Sequence, residues 1–203
     1  MPVIAGKRVI YAMAAREEYG PELQKRFQPV MTGIGPVEAA MNMARVVDEK
    51  KPDLVVSLGS AGSAVLEQGK VYQASSVSYR DMDASPIGFE KGVTPFSGLE
   101  VDIPLPTPLE GVPTARLSTG AAIVNGPAYR RVDADMVDME TFAIKRVCMT
   151  AQTPLLALRG ISDGDAELRS FADWTQYLGA IDGRLAQVVD QLEAMVASGE
   201  LGL

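Results

Sequence analysis

Acidic residues follow two apolar runs of this chain, and their types and spacing suit chemistry. The largely apolar residues 153–158 lead through Arg159-Gly160-Ile161 into Ser162-Asp163-Gly164-Asp165. A second run ends on Asp138-Met139-Glu140, just before a helical stretch at residues 141–150. Open α/β sheets bind ligands at the carboxyl ends of their strands. Because the sequence has no histidine, the pattern predicts a site whose chemistry is carried out by carboxylates.

Each acid has a chemical and a structural interpretation, and the residues alone leave both open. Asp163 beside Ser162 could be a general acid with a hydrogen-bonding partner, or the pair could cap a helix N-terminus. Glu140 could accept two hydrogen bonds from a sugar diol. It could equally be an acid in the first turn of a helix, where the helix dipole favours it.

Two glycine-rich segments also follow predicted strands. They are Gly33-Ile34-Gly35 and Gly59-Ser60-Ala61-Gly62. Small residues there leave backbone N–H groups free for a ligand, although tight turns would need the same residues. Neither segment has the spacing of a dinucleotide fingerprint or a P-loop, so the sequence does not favour those cofactors.

The elements around these motifs alternate between strands and helices. We predict strands at residues 7–12, 29–32, 53–58, 71–79 and 115–124, and helices at residues 37–50, 141–150 and 171–197. Residues 81–113 are rich in proline and predict a long irregular insertion that contributes to function or to an interface. The alternation indicates one α/β domain over residues 1–203.

Two of the predicted helices carry apolar residues at helical spacing, and we expect these faces to be buried. In the first helix the face consists of Val37, Ala40, Met41, Ala44 and Val47. In the C-terminal helix it consists of Leu178, Ile181, Leu185, Val188, Val189, Leu192 and Val196.

Composition excludes several classes of function. A net charge of −7 argues against nucleic-acid and anionic-membrane surfaces, which need basic patches. The absence of histidine, with Cys148 as the single cysteine, disfavours zinc and other soft metals. We expect no metal and no cofactor, a buried Cys148 thiol, and a cytoplasmic location, since neither a signal-peptide layout nor a membrane-length apolar run is present.

The order of the motifs, together with Asp-Met-Asp-Ala-Ser-Pro-Ile-Gly-Phe-Glu-Lys-Gly at residues 81–92, resembles the purine nucleoside phosphorylase/uridine phosphorylase superfamily. Within it, the chain most resembles the 5′-methylthioadenosine/S-adenosylhomocysteine nucleosidases, over residues 8–195. The resemblance implies a twisted, partly closed mixed sheet flanked by helices, and a homodimer. It also implies hydrolysis of a small purine nucleoside to release adenine.

The resemblance gives the acids specific roles. Asp163 would protonate N7 of adenine, supported by Ser162, and Glu140 would hold the ribose hydroxyls above Met139. The other implied ligand contacts are Val124 and Ile123 at the base, Phe171 over the base or the 5′ group, Ser60 and Gly62 on the sugar and water side, and Ile87 and Phe89 in the 5′-thioalkyl pocket of a partner subunit.

Two positions decide which reaction the resemblance implies. Phosphorylases of this superfamily carry an arginine just before the Gly-Ser turn, where this chain has Val56-Ser57-Leu58. A phosphate site would need such a cation, so water is favoured as the acceptor.

The second position is that of the water-activating glutamate, three residues after the methionine that ends the first strand. That methionine is Met13, and Arg16 stands at the expected place, followed by Glu17 and Glu18. We predict Glu17 as the base, with Glu18 or no base as alternatives. Hydrolysis of another purine nucleoside, or nucleoside binding without turnover, are the competing functions.

Overall fold

The computed structural model describes residues 1–164 and 166–202, so Asp165 and Leu203 lie outside the described residues. In chain order the elements are β1 (Val3–Ile4), β2 (Lys7–Met13), α1 (Pro21–Gln24), β3 (Val30–Met31), α2 (Pro36–Lys50), β4 (Leu54–Gly62), β5 (Val71–Tyr79), β6 (Ile103–Pro104), β7 (Thr114–Thr119), β8 (Met136–Asp138), α3 (Thr141–Thr150), β9 (Leu155–Asp163), α4 (Phe171–Thr175) and α5 (Leu178–Ser198). The predicted α/β class is confirmed.

The strands form a mixed sheet that closes on itself in part. β4 runs parallel to β2 and β9, β9 pairs antiparallel with β5, and β5 is parallel to β7. β7 is parallel to β8, which returns to β4 through the antiparallel pair Val137 and Gly62. Gly62 also pairs with Asp163 across a register shift. The ends of β4, β8 and β9 therefore meet at Gly62.

Helices cover both faces of the sheet, which explains why β9 reads as a continuous apolar run. Leu155 and Ala157 pack in the core formed with α2 and α3. The alternate residues Leu156 and Leu158 pack against α5 on the other side. Since successive side chains of a strand point to opposite faces, β9 is buried along its whole length and holds Asp163 at a fixed position.

The C-terminal helix differs from the prediction in one respect. The chain forms two helices, α4 and α5, which are separated by a turn at Gln176 and Tyr177. A capping box between Ser170 and Asp173 begins α4. The apolar residues predicted for α5 are all buried, so the periodicity identified its inner face correctly and missed only the break.

The predicted inner face of α2 is wrong in part. Val37 and Met41 are 72% and 61% exposed, and the core is met by Ala39 and Met43 together with the predicted Val47. Apolar residues occupy two stripes of this helix, and periodicity cannot tell which stripe meets the sheet. The outer stripe is left as an exposed apolar surface.

Three loop predictions also need correction. The glycine-rich segment after residue 58 is not a turn, because β4 continues as a strand to Gly62. The strand expected at residues 115–124 ends at Thr119, and the following residues form a loop. The insertion at residues 81–113 contains the short strand β6, which pairs with β5. In the part of the chain that is described, no helix combines the length and hydropathy needed to cross a membrane.

Candidate active site

A cavity of about 740 Å³ opens where β4, β8 and β9 meet. Its volume lies within the range of small-molecule sites. Most of the ligand contacts expected from the sequence line it: Ser60, Gly62, Ile123, Val124, Met139, Glu140, Asp163 and Phe171. Ile123 and Phe171 are 70% and 66% exposed and stand at its mouth.

Asp163 ends β9 and lies buried in the wall of the cavity. Ser162 lies behind it, and its hydroxyl donates to Asp163 Oδ1 at 2.6 Å. The Tyr129 hydroxyl is 3.4 Å from Asp163 Oδ2. Burial raises the pKa of Asp163, while these two hydroxyl groups act in the opposite direction. The effect of burial therefore outweighs that of the two hydroxyl groups, and the site favours the protonated form of Asp163 more than water does.

Gly62 permits the close packing beneath Asp163. A Cβ atom at this position would lie 2.1 Å from Tyr129 Oη and 2.9 Å from Asp163 Oδ2. Tyr129 was not predicted as a site residue. A short 3₁₀ helix, Gly126–Arg131, carries it into the cavity, and no periodicity in the sequence indicates that path.

Glu140 occupies the N-cap position of α3. Its Oε1 accepts a hydrogen bond of 2.8 Å from the backbone N–H of Gly35. Gly35 has φ of 95°, a conformation that favours glycine, so the turn before α2 is shaped to present this donor. Burial, with the nearby charge of Asp138, raises the pKa of Glu140 to about 7.

Glu18, not Glu17, lies in the cavity. Arg16 and Glu17 are exposed on a 3₁₀ turn, whereas Glu18 is 8% exposed. The Ser60 N–H and hydroxyl groups each donate to Glu18 Oε1 at 2.7 Å. Glu18 Oε2 is buried without a hydrogen-bond partner among the described residues. Burial raises the pKa of this carboxyl group, and its place in the cavity wall makes it a candidate base.

Ile87 and Phe89 do not line the cavity of their own chain. Ile87 is 74% exposed, and Phe89 stacks edge-on against Phe96 with ring centroids 5.4 Å apart. Phe96 is itself 95% exposed. Their expected contact with a partner subunit's pocket stays a prediction.

Arg80 is a cation in the cavity wall that the sequence analysis missed. Its Nη1 donates to the carbonyl oxygens of Ser118 and Asp138 at 2.5 and 2.9 Å. Its Nη2 donates to those of Gly120 and Ala122 at 3.2 and 2.7 Å. Burial lowers the pKa of Arg80. The guanidinium group thus fixes the loop that leads to Ile123.

Arg159 and Asp138 form a buried ion pair below the cavity. Arg159 Nη2 lies 2.9 Å from Asp138 Oδ2, and it also donates to Ser57 Oγ and Thr141 Oγ1 at 2.8 and 2.6 Å. Asp138 Oδ1 accepts a hydrogen bond of 2.6 Å from Thr119. The network joins β4, β7, β9 and α3 beneath the site.

Arg159→Met is expected to destabilise the protein by about 3–5 kcal/mol, because Asp138 would remain buried without its counter-charge. Urea denaturation measures this loss. Arg45→Met, which removes an exposed pair with Glu49, is the matched control and should change stability by less than about 1 kcal/mol. Equal effects of the two substitutions would contradict the importance of the buried pair.

The described side chains include no group of three or more histidine, cysteine, aspartate or glutamate residues arranged to hold a metal ion.

Comparison with known families agrees with this architecture. The family model for the phosphorylase superfamily matches residues 24–193. The chain belongs to this superfamily. The family model carries this assignment. Solved structures of low sequence identity share the fold.

Three structures illustrate the similarity of this superfamily member to others. A 5′-methylthioadenosine/S-adenosylhomocysteine nucleosidase from Colwellia psychrerythraea 34H, in complex with adenine, is 22% identical with a TM-score of 0.78, covering 93% of this chain and 95% of that chain. The Neisseria meningitidis nucleosidase, in complex with methylthio-immucillin-A, is 23% identical with a TM-score of 0.77, covering 95% and 99%. The futalosine hydrolase of Helicobacter pylori strain 26695 is 19% identical with a TM-score of 0.79, covering 91% and 96%.

Proposed function

We propose that this chain is a nucleosidase that hydrolyses the N-glycosidic bond of a 5′-substituted adenosine and releases adenine. 5′-Methylthioadenosine is the first candidate substrate, and S-adenosylhomocysteine is the second. The observation that carries the proposal is the pair of buried carboxyl groups, Asp163 and Glu18, on one cavity of nucleoside size. Family membership and the fold shared with nucleosidases support it.

The reaction needs an acid on the base side. When the bond between C1′ and N9 breaks, its electron pair passes to the purine and positive charge develops on the sugar. Asp163 gives its proton to N7, which neutralises the departing base. Ser162 orients the Asp163 carboxyl group, while Val124 and Ile123 contact the purine.

The sugar side needs a base and an anion. A water molecule adds its oxygen to C1′, and the Glu18 carboxylate takes the proton that the water loses. Glu140 accepts hydrogen bonds from the ribose hydroxyls above Met139, and its negative charge stabilises the cationic sugar. Ser60 and Gly62 border the same side. Together these residues supply an acid, a base and a sugar anchor.

Charge supports water rather than phosphate as the acceptor. Glu18, Glu140 and Asp163 bring carboxyl groups to the cavity in addition to Asp138, which is paired with Arg159, and this lining disfavours an anionic substrate. Arg80 uses both terminal nitrogens on backbone carbonyls, and Arg169 is exposed at the rim with its Nη2 3.7 Å from Glu167.

The experiment is adenine release from 5′-methylthioadenosine by the purified chain, in phosphate-free buffer and again with added phosphate. Release that does not depend on phosphate is the expected result. Release only with phosphate would indicate a phosphorylase and overturn the hydrolase proposal. Binding without release in either buffer would favour a nucleoside-binding protein.

A second candidate is hydrolysis of another purine nucleoside with a larger 5′ group. The cavity mouth is open at Ile123 and Phe171, and a futalosine hydrolase shares the fold. Futalosine in the same assay distinguishes the two candidates, because the preferred substrate should show the higher kcat/KM.

A homodimer is part of the proposal. Exposed apolar surface that a second copy could cover is present at Val37 and Met41 in the outer stripe of α2, and at Phe96 beside the half-buried Phe89. Sedimentation equilibrium should then give twice the chain mass, and Met41→Glu should reduce it. A monomer at all concentrations would contradict the dimer. The cytoplasmic location stays a prediction.

A further inference from the structure

Three side chains form a hydrogen-bonded chain from α4 to the candidate base. Trp174 Nε1 donates to Ser60 Oγ at 3.0 Å. The Ser60 hydroxyl donates to Glu18 Oε1 at 2.7 Å, and the Ser60 N–H donates to the same oxygen at 2.7 Å. Trp174 was not among the residues predicted from the sequence.

The direction of this chain is fixed by Trp174. An indole N–H is only a donor, whereas a serine hydroxyl has one proton to give and also accepts. Ser60 Oγ therefore accepts from Trp174, and its single proton remains for Glu18. Without Trp174, the Ser60 hydroxyl would be free to rotate toward other acceptors.

The two oxygens of Glu18 consequently differ. Oε1 is held by the backbone and side chain of Ser60, while the buried Oε2 has no partner among the described residues and belongs to the carboxyl group that borders the cavity. Ser60 and Trp174 line the same cavity as Glu18, and orientation of a catalytic group by its neighbours is a common requirement of enzyme sites.

We propose that Trp174 is a positioning residue that acts through Ser60 to hold the Glu18 carboxyl group in the cavity wall where the reacting water binds. The inference rests on the proposed function, in which Glu18 takes a proton from that water. Trp174 also stacks edge-on against Phe171, with ring centroids 5.3 Å apart, so one side chain connects the mouth of the cavity to the base.

Trp174→Phe removes the N–H group and keeps an aromatic ring. We expect kcat to fall about threefold to tenfold, the effect of one hydrogen bond, with KM nearly unchanged. Without Trp174, the Ser60 hydroxyl is no longer held as a donor to Glu18, and this raises the pKa of Glu18. The acidic limb of the plot of kcat against pH should therefore move to higher pH. Arg159 and Glu140, the other charged groups that act on Glu18, are unchanged by the substitution.

A second measurement does not depend on turnover. Trp174 is the single tryptophan of the chain, so intrinsic fluorescence reports this residue alone. Titration of the wild-type protein should show an emission change as Glu18 ionises. The change should be absent in Glu18→Gln and in Ser60→Ala, because each breaks the chain.

The kinetic test compares Trp174→Phe, Ser60→Ala and the double variant in the full chain. The double variant should be no slower than Ser60→Ala, and Tyr177→Phe, a half-buried aromatic outside the cavity, should match wild type. Additive losses, or an effect on KM alone, would overturn the inference. If the wild-type chain releases no adenine, the proposed function fails, and the fluorescence titration decides the inference by itself: a transition that persists in Glu18→Gln refutes it.

Discussion

Asp163→Asn is expected to lower kcat for adenine release by about 10²–10⁴-fold, the usual contribution of a general acid. The substitution keeps the shape of the side chain and its contact with Ser162, but an amide cannot give a proton to N7. Since Glu140 is untouched, most of the ribose contact should persist. Steady-state kinetics on 5′-methylthioadenosine measures the loss, and calorimetric titration with the nucleoside measures the retained binding.

The dependence of the rate of adenine release on pH is a second test of Asp163 as the acid. Burial raises the pKa of Asp163, so the acid is protonated at low pH and the rate should fall as the pH rises through that value. Asp133→Asn, at a side chain that is 96% exposed, is the matched control and should behave as wild type. A rate for Asp163→Asn within about twofold of wild type would remove Asp163 from the mechanism.

Glu18→Gln is expected to reduce kcat by about 10²-fold or more, because the attacking water would lose its proton acceptor. Glu17→Gln, one residue earlier on the exposed face of the same turn, is the matched control and should leave the rate unchanged. Both substitutions replace a carboxyl group by an amide, so a difference between the two rates reports where the residue lies and not the type of substitution. The measurement is kcat at several pH values. Because Glu18 must be ionised to act as a base, wild-type activity should fall at acidic pH.

The reverse order of effects, with Glu17→Gln inactive and Glu18→Gln active, would restore Glu17 as the base. Equal activity of both variants would mean that the proton is taken by another group. Either result would leave the role of Asp163 as acid open to its own test.

The sequence predicted the positions that long, regular elements determine. Asp163 ends a strand buried on both faces, and Glu140 precedes a helix whose bounds were predicted as observed. In such elements the apolar residues recur regularly, and this regularity determines where the residue at the end of the element lies in the fold. The α/β class and the glycine-lined sheet ends followed from the same regularity.

The residues that were misplaced or missed depend on short or irregular segments. Glu18 points inward because a 3₁₀ turn of three residues follows Ala15, and a count based on α-helical spacing cannot place it. Tyr129 reaches Asp163 from another 3₁₀ segment, and Trp174 reaches Ser60 from the five-residue helix α4. These contacts are set by tertiary packing, which leaves no local pattern in the sequence.

The raised pKa of Glu140 has a consequence for the thermodynamics of ligand binding. With a pKa of about 7, this carboxyl group is partly protonated in the empty protein at neutral pH. Ribose hydroxyls that donate to it favour the ionised form and lower the pKa, so binding should expel a fraction of a proton into the solvent. The measured enthalpy of binding would then vary with the ionisation enthalpy of the buffer, because the buffer takes up the proton that the protein releases.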